Sequence, residues 1–350
     1  MRALTTIPKQ ADTLAITDLP DPEPQEGDLL VDGLAVGVCG TDREILRGDY
    51  GWAPPGRPRL VIGHESLGRV RSAPSASAFA AGDLVVGVVR RPDPVPCGAC
   101  AHGEFDMCRN GKYTERGIKQ VDGFASEQWT VEADYAVRLD TRLADVGMLM
   151  EPTTVVAKAW EQVDRVGGRA WFEPSRVLVT GAGPVGLLAA MIGVQRGLDV
   201  HVLDRVTNGP KPQRVHELGA TYHHTDIDAV TARVRPDVVI EATGVADLVF
   251  ASMAGTATYG IVCLTGVSAN GRNLRVDGGE LNRDIVLEND AVVGSVNANL
   301  RHYAQAADAL AAADLDWLGR LVTRRVRLGD FADAFAPQEH DVKVVITLDD

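Results

Sequence analysis

A glycine-rich motif between a short apolar run and a helical segment constrains the fold of this chain more than any other feature. The run Arg176–Thr180 is followed by Gly-Ala-Gly-Pro-Val-Gly, which starts at Gly181. The first glycine permits a tight turn, the second lets the backbone approach a pyrophosphate, and the third lets helix and strand pack closely. The helix that follows offers free N–H groups to the phosphates. The predicted contacts to a dinucleotide are Gly181, Gly183, Pro184, Val185 and Gly186.

An acidic residue closes the next apolar run. Asp204 follows residues 200–203 and lies 18 positions beyond Gly186, where a carboxylate binds the ribose hydroxyls of NAD. Arg205 comes directly afterwards and is suited to the 2′-phosphate of NADP, or it is simply a solvated loop charge. The sequence thus predicts NAD, NADP or both. The alternative is an ordinary glycine turn in a non-binding α/β domain.

Secondary-structure patterns divide the 350 residues into two parts. Up to about residue 150, short apolar runs alternate with turns rich in Gly, Pro and Asp, which is typical of strands. Residues 90–117 have few apolar positions and read as a loop or lobe. Beyond 150, helical segments at 154–166, 187–196 and 302–313 alternate with short apolar runs, and 342–348 is a final strand. This alternation predicts an α/β chain with a parallel sheet.

The formal net charge of −13 makes nucleic acid and anionic membranes improbable partners. Neither a signal peptide nor a membrane-spanning segment is expected. The cysteines are odd in number, with three close together, which in a chain without a secretion signal indicates metal binding more than disulfides. They are Cys39, Cys97, Cys100, Cys108 and Cys263.

Three short motifs carry residues that bind zinc. Cys39 opens Cys-Gly-Thr-Asp, His64 and Glu65 follow an apolar run, and Glu151 lies at the change of pattern. Cys, His and Glu are zinc ligands, and a catalytic zinc keeps one position open. Taken singly, Cys39 could be a small buried hydrophobe and His64 a core histidine. Glu65 could pair with a cation or stand behind the ligands.

These motifs, their order and the glycine motif resemble the zinc-dependent medium-chain alcohol dehydrogenase superfamily over essentially the whole chain. Glu151-Pro152, the run Tyr-Thr-Glu-Arg-Gly from Tyr113 and the run Gly-Ser-Val-Asn-Ala-Asn from Gly294 are most similar to its glucose 1-dehydrogenase branch. The resemblance implies a GroES-like, partly β catalytic domain of residues 1–155 and 300–350. It also implies a Rossmann, doubly wound parallel-sheet domain of residues 156–299.

The resemblance also implies roles for individual residues. Cys39, His64, Glu65 and Glu151 would surround the catalytic zinc, and the catalytic residues would be Thr41, Glu65 and Glu151. Thr41, Glu115, Glu151 and Asn297 would contact substrate, although Glu115 could instead form a salt bridge and Asn297 a turn cap.

The three-cysteine lobe departs from the four-cysteine pattern of the superfamily. Cys97, Cys100 and Cys108 match three positions, and Pro94 occupies the place of the first cysteine, with Asp93 beside it. A structural zinc needs four ligands. Asp93 is one candidate for the fourth, and His102, Glu104 or Asp106 is another. The remaining alternatives are a metal-free lobe with reduced cysteines and a Cys97–Cys100 disulfide, which a cytoplasmic location disfavours.

The resemblance implies zinc-assisted oxidation of the C1 hydroxyl of an aldose, D-glucose to gluconolactone first of all, with hydride transfer to NAD or NADP. A related sugar or polyol dehydrogenase is the closest alternative, and a non-catalytic dinucleotide-binding protein is a distant one. A homodimer or homotetramer in the cytoplasm is expected.

Overall fold

The computed structural model describes residues 1–268 and 273–348 and divides the chain into two compact units. The first unit comprises Met1–Glu151 and Ala298–Asp350, and the second comprises Pro152–Asn297. The sequence placed these boundaries four and two residues later, at 155 and 299. In the part of the chain that the structure describes, no helix has the length and apolar character needed to cross a membrane.

The N-terminal segment of the first unit is built mainly of strands. Its elements are β1 (Arg2–Thr6), β2 (Ala15–Asp18), β3 (Asp28–Val38), α1 (Gly40–Leu46), β4 (Leu60–Val61), β5 (Glu65–Ser72), β6 (Leu84–Gly87), β7 (Arg90–Arg91), α2 (Gly98–Ala101), β8 (Thr114–Arg116), β9 (Gln120–Val121), β10 (Gln128–Glu132) and β11 (Ala136–Arg138). Short 3₁₀ turns lie at Phe105–Met107, Ala133–Tyr135, Thr141–Leu143 and Gly147–Leu149.

The second unit alternates helices with parallel strands. Its elements are α3 (Met150–Gly167), which begins at the end of the first unit, β12 (Arg176–Thr180), α4 (Pro184–Gln195), β13 (Asp199–Leu203), α5 (Pro210–Glu217), β14 (Thr221–His223), α6 (Ile227–Val234), β15 (Val238–Glu241), α7 (Ala246–Ala254), β16 (Ile261–Leu264), α8 (Gly278–Glu288) and β17 (Ala291–Gly294).

The C-terminal segment returns to the first unit. It contains α9 (Leu300–Ala311), α10 (Leu315–Leu321), β18 (Val322–Arg327), a 3₁₀ turn at Leu328–Asp330, α11 (Phe331–Phe335) and β19 (Lys343–Thr347). β19 pairs antiparallel with β3, so the end of the chain completes a sheet begun near its start. That sheet has the order β11-β6-β5-β3-β19-β18, with β10 also paired to β3.

The parallel sheet of the second unit has the order β14-β13-β12-β15-β16-β17. This is the doubly wound order, and it reverses between β12 and β15, which is where such sheets bind dinucleotides. The apolar strand residues Leu178, Val239 and Val262 pack against Ile227 and Val230 of α6. The predicted fold class, a partly β GroES-like domain and a Rossmann domain, is confirmed.

Residues 90–117 contain more structure than the predicted loop. β7 pairs with β8, and α2 and a 3₁₀ turn lie between them. Arg90, Arg91 and Glu115 are buried although they are charged. The low apolar content therefore reflects a buried ion-pair network, which sequence periodicity does not reveal.

Candidate functional site

The candidate metal centre lies where β3 and β5 run side by side. Gly37 of β3 pairs in register with Glu65, the first residue of β5. Cys39 caps α1 directly after β3, and His64 immediately precedes β5. One ligand atom from each of Cys39, His64 and Glu65 lies within 4.8 Å of the others. The pairing of these strands thus brings together three of the four residues predicted to surround zinc.

Asp42 supports two members of this cluster from the first turn of α1. Its Oδ2 accepts a 2.8 Å hydrogen bond from the backbone N–H of Cys39. Its Oδ1 lies 3.4 Å from His64 Nδ1, and both side chains are almost fully buried. Burial lowers the pKa of His64, but Asp42 and Cys39 outweigh that effect and raise it well above its usual value. A carboxylate behind an imidazole orients it for a metal on its other nitrogen.

Lys343 is a buried cation behind the third member of the cluster. Its ammonium forms an ion pair with Glu65 Oε2 and donates a 3.0 Å hydrogen bond to the Val38 carbonyl. Burial lowers the pKa of Lys343, and the Glu65 carboxylate more than compensates, so that the pKa is raised. A Cβ atom at Gly37 would overlap Glu65 Oε2 and lie 2.8 Å from Lys343 Cε. Glycine at this position therefore makes room for the ion pair.

Glu151 lies outside the 4.8 Å cluster but close enough to interact with it electrostatically. Burial raises its pKa most, Glu65 adds to the rise, and His64 and Lys343 oppose it, with a net pKa of about 7. Glu151 lies in the first turn of α3. Tyr303 of α9 is buried and lies near Glu151. Burial raises the pKa of the Tyr303 hydroxyl most, and the Glu151 charge raises it further. Thr41 occupies the first turn of α1 and is partly exposed.

The two residues predicted to bind sugar hydroxyls belong to different units. Glu115 is 4% exposed, and its Oε1 accepts hydrogen bonds from Arg90 Nε and Nη2 at 3.2 and 2.9 Å. Arg90 also donates to the Asp106 carbonyl at 2.8 Å. Asn297 follows β17 in the second unit with a left-handed φ of 64°. The salt bridge foreseen as an alternative for Glu115 is therefore present, which leaves its contact with sugar a prediction.

The cysteine lobe brings its three sulfur atoms together but leaves Asp93 aside. The Sγ atoms of Cys97, Cys100 and Cys108 lie within 4.8 Å of one another. Backbone N–H groups, first that of Arg109 and then that of Cys100, lower the pKa of the Cys97 thiol to about 6. In the described chain, Asp93 is not part of this metal-competent group.

The glycine motif has the geometry of a phosphate cradle. Gly181 has a φ of 94°, a region that disfavours side chains, and a Cβ at Gly186 would overlap the Gly181 carbonyl. Gly183 caps α4 and Pro184 is its first residue, followed by Val185. A Cβ at Gly183 would meet no protein atom within 4 Å, so this side of the turn is open to a ligand. The residues present therefore fit a dinucleotide at the start of α4.

Asp204 lies against this turn. Its Oδ2 accepts a 2.7 Å hydrogen bond from the Ala182 N–H and lies 3.3 Å from Lys211 Nζ. Burial raises the pKa of Asp204, but these two donors and the Val206 N–H outweigh it and lower the pKa. Arg205 is exposed beside it. Because Lys211 partly neutralises the carboxylate, the site repels a 2′-phosphate less strongly than Asp204 alone would.

Sequence reasoning missed Lys343, Tyr303, Lys211 and Arg90. Lys343 offered one signal, since it begins the otherwise apolar run of β19. A lysine at the start of a strand is usually solvated, and only the packing of β19 between β3 and β18 shows that this one is buried.

The donor set of the first cluster fits zinc. A thiol, an imidazole and a carboxylate are its usual ligands, and Asp42 provides the carboxylate that commonly stands behind a ligating histidine. The zinc expected there would be held by Cys39, His64 and Glu65.

Two family models match the chain. The alcohol dehydrogenase GroES-like domain matches residues 25–141, and the glucose dehydrogenase C-terminus matches residues 144–348. The boundary between the two matches falls just before Glu151.

Full-length relatives agree with these matches. A glucose 1-dehydrogenase of Halobacterium salinarum is 40% identical, with 96% of each chain covered. Another, from Methanocella arvoryzae, is 38% identical with 99% of each chain covered. Among solved structures, Haloferax mediterranei glucose dehydrogenase in complex with NADP, zinc and gluconolactone superposes with a TM-score of 0.92. It is 33% identical, and all of both chains is covered.

Proposed function

This chain belongs to the glucose dehydrogenase family of zinc-dependent alcohol dehydrogenases, and we propose that its clustered Cys39, His64 and Glu65 side chains form the catalytic centre. The resemblance inferred from the sequence is thereby confirmed. The chain is an NAD(P)-dependent oxidoreductase that converts an aldose, D-glucose first of all, to its lactone. The observation that carries the site assignment is the buried S, N, O cluster.

Cys39, His64 and Glu65 would hold a zinc ion, which would supply Lewis-acid stabilisation of charge on the substrate oxygen, and a bound dinucleotide would accept the hydride. The chain's own contribution is to hold the ligands before substrate arrives. Asp42 fixes Cys39 through its backbone and faces the Nδ1 of His64. Lys343 forms an ion pair with the Glu65 carboxylate and so places a counter-charge beside it in a buried position.

Thr41 and Glu151 are proposed to act on the substrate itself. The Thr41 hydroxyl, in the first turn of α1 two residues after Cys39, would accept the proton of the reacting hydroxyl. Glu151 would complete the polar surface around the metal centre as a further ligand or a substrate contact. Its electrostatic coupling to His64 and Glu65 supports that position.

Glu115 and Asn297 are proposed to bind sugar hydroxyls. Arg90 donates two hydrogen bonds to the same oxygen of Glu115, which orients the carboxylate. A carboxylate oriented in this way favours a polyol, whose hydroxyls donate hydrogen bonds to it, over an apolar alcohol, which would leave it without a partner. This order of preference distinguishes a sugar dehydrogenase from an alcohol dehydrogenase with an apolar pocket.

The cofactor assignment includes both NAD and NADP. Gly181, Gly183, Pro184, Val185 and Gly186 would hold the pyrophosphate. Asp204 would accept hydrogen bonds from the ribose, while Arg205 and Lys211 would pair with a 2′-phosphate. The Lys211–Asp204 contact supports use of both cofactors.

A homodimer or homotetramer is proposed through the edge of the parallel sheet. β17 is one of the two edge strands, with β14 at the other edge, and α8 precedes β17 in the chain. Val286 and Leu287 of α8 are 63% and 66% exposed, which suits a second copy better than solvent. The cytoplasmic location stays a prediction from the sequence.

The test of substrate and cofactor is a matrix of initial rates, with aldoses, polyols and simple alcohols against NAD and NADP. We expect the highest kcat/KM with an aldose and a matching lactone product. A polyol as best substrate would place the chain with another sugar-alcohol specificity, and cofactor binding without turnover would overturn the enzymatic assignment.

The test of the metal is chelation followed by metal restoration. Activity should disappear with the metal and return with zinc. Undiminished turnover after complete removal of metal would contradict the proposed centre.

A further inference from the structure

The lobe that carries Cys97, Cys100 and Cys108 holds three thiols at contact distance of one another. The Sγ atoms of Cys97 and Cys100 are 3.6 Å apart, and all three lie within 4.8 Å. Cys100 is 8% exposed, whereas Cys97 and Cys108 are partly exposed. None of the three belongs to the proposed catalytic centre, so their chemistry is independent of the proposed function.

A closed structural zinc site needs a fourth ligand, and Asp93 is engaged elsewhere. Its Oδ1 accepts a 2.8 Å hydrogen bond from the Val95 N–H, and its Oδ2 accepts one of 2.9 Å from Asn110 Nδ2. Both oxygens thus stabilise the turn after β7. The residue beside the position of the missing cysteine has a structural role of its own.

The other residues that the sequence offers as a fourth zinc ligand also have hydrogen-bond or ion-pair partners. His102 Nδ1 lies 2.6 Å from the Gly98 carbonyl. Asp106 is buried and accepts a 2.7 Å hydrogen bond from Asn299, and Glu104 lies 3.5 Å from Arg301. Within the described ranges, the metal-competent group in the lobe consists of the three cysteines alone. The residues present therefore do not fit a closed four-ligand zinc site.

We propose that the lobe is instead a thiol site modified by peroxide, in which Cys97 and Cys100 form a disulfide. Cys97 is the more exposed of the pair, and its sulfur accepts a 3.3 Å hydrogen bond from the Arg109 N–H. Cys100 stands directly behind it. A disulfide requires the two sulfur atoms to approach from 3.6 Å to about 2 Å, which rotation of two side chains achieves within one turn.

The chemistry balances with hydrogen peroxide as the oxidant. The Cys97 thiolate attacks one peroxide oxygen, so that an S–O bond forms, the O–O bond breaks, and hydroxide leaves to become water. Cys100 then attacks the Cys97 sulfur, the S–S bond forms, and the S–O bond breaks. The departing hydroxide takes the Cys100 proton and leaves as a second water. Two thiols are oxidised by two electrons, and one peroxide is reduced to two waters.

The first test is peroxide treatment of the reduced, full-length enzyme, followed by intact mass measurement and peptide mapping. We expect loss of two hydrogens and a Cys97–Cys100 peptide link, reversed by a thiol reductant. The matched control is Cys263→Ser, which removes a fully buried cysteine of the second unit and should leave the link unchanged. In Cys100→Ser the link should be absent, and Cys97 should instead gain oxygen. A wild-type lobe that stays reduced while Cys39 is oxidised would overturn the proposal.

The second test distinguishes the lobe from a zinc site by elemental analysis. Wild type and Cys108→Ser should contain the same zinc per chain, whatever the catalytic centre holds. If Cys108→Ser loses one zinc per chain while its dinucleotide binding shows that it is folded, the lobe is a metal site and the proposal fails. Failure of the catalytic assignment would appear separately, as zinc that survives Cys39→Ser.

Discussion

The first unit contains two cysteine clusters, and they differ in what lies behind their sulfur atoms. Cys39 shares its site with an imidazole and a carboxylate, and Asp42 and Lys343 stand behind them as buried charges. In the lobe, the Arg109 N–H donates a hydrogen bond to Cys97 Sγ. The Asp93 carboxylate beside the lobe accepts its hydrogen bonds from other groups, among them the Val95 N–H. The comparison shows that proximity of ligand atoms is only part of a metal site, and that the groups orienting those atoms distinguish the two clusters.

A histidine pair in the second unit can be compared with the two cysteine-containing clusters of the first unit. Arg233 donates to His223 Nδ1 at 2.8 Å, His223 Nε2 lies 2.9 Å from His201 Nδ1, and His201 Nε2 lies 3.2 Å from Asp199 Oδ2. Since arginine can only donate, His223 must carry its proton on Nε2 and His201 must carry its own on Nε2. Every ring nitrogen then has a partner, so this cluster is satisfied internally with both rings neutral.

The strongest contrast between the two clusters should appear on replacing one residue of each. His64→Ala should reduce kcat/KM by roughly 10³-fold or more, because metal stabilisation of the reacting oxygen accounts for several kcal/mol. Cys108→Ser should leave kcat/KM near the wild-type value under reducing conditions. Steady-state rates with the best aldose measure both. Equal losses of kcat/KM in the two variants would contradict the proposed difference between the two clusters.

Lys343→Met isolates the buried cation behind the first cluster. The buried Glu65 carboxylate would lose its ion-pair partner, so the metal-free protein should lose about 3 kcal/mol of unfolding free energy. Urea denaturation with chelator, at one protein concentration, measures this loss. The double variant Lys343→Met/Glu65→Gln should recover much of it. As a control, Arg142→Met breaks an exposed, solvent-screened pair with Asp140 and should change stability far less than Lys343→Met. Similar losses in the two single variants would contradict the buried role.

Asp42→Asn tests the support of His64 alone. The amide oxygen can still accept from the Cys39 N–H, so the fold should persist, while the negative charge facing His64 is lost. Zinc affinity should fall about 10- to 100-fold in competition with a chelator. Asp49→Asn changes an exposed carboxylate on the following turn and is the matched control. Unchanged affinity in Asp42→Asn would show that the carboxylate does not orient the ligand.

The smallest expected effect concerns the internally satisfied histidine pair. Burial, together with His201, Arg233 and His224, lowers the pKa of His223 to about 4. The unfolded chain therefore binds more protons between about pH 6.5 and 4, and stability should fall as the pH decreases through that window. By pH 5 the loss reaches up to about 2 kcal/mol.

His223→Gln should flatten this pH dependence, measured by denaturant unfolding at a series of pH values. The exposed His340→Gln should leave the slope unchanged. An unaltered slope in His223→Gln would mean that another group is responsible.

The sequence predicted the parts of the molecule that depend on local pattern. The strands of the second unit are short apolar runs, and the glycine motif follows the first of them, so the parallel sheet could be foreseen. Thr221–His223 was missed because a polar edge strand lacks such a run. Cys39 and His64 were found because each adjoins an apolar strand and the motifs have a familiar order.

Lys343 and Asp93 show where such reasoning ends. The burial of Lys343 depends on the pairing of β19 with β3, which are almost the whole chain apart. The unavailability of Asp93 depends on hydrogen bonds to Val95 and Asn110. Neither follows from spacing, because both are consequences of three-dimensional pairing between segments that the sequence does not mark as partners.

The position of Lys343 on the last strand has a consequence for biosynthesis. The ribosome makes Glu65 first, then the entire second unit, and only afterwards β19. At typical elongation rates roughly 15 to 55 s separate the synthesis of Glu65 from that of its counter-ion. Until β19 docks, a nascent chain carries the Glu65 carboxylate without Lys343 beside it. Maturation of the proposed catalytic centre is therefore a late event, completed after the second unit has emerged.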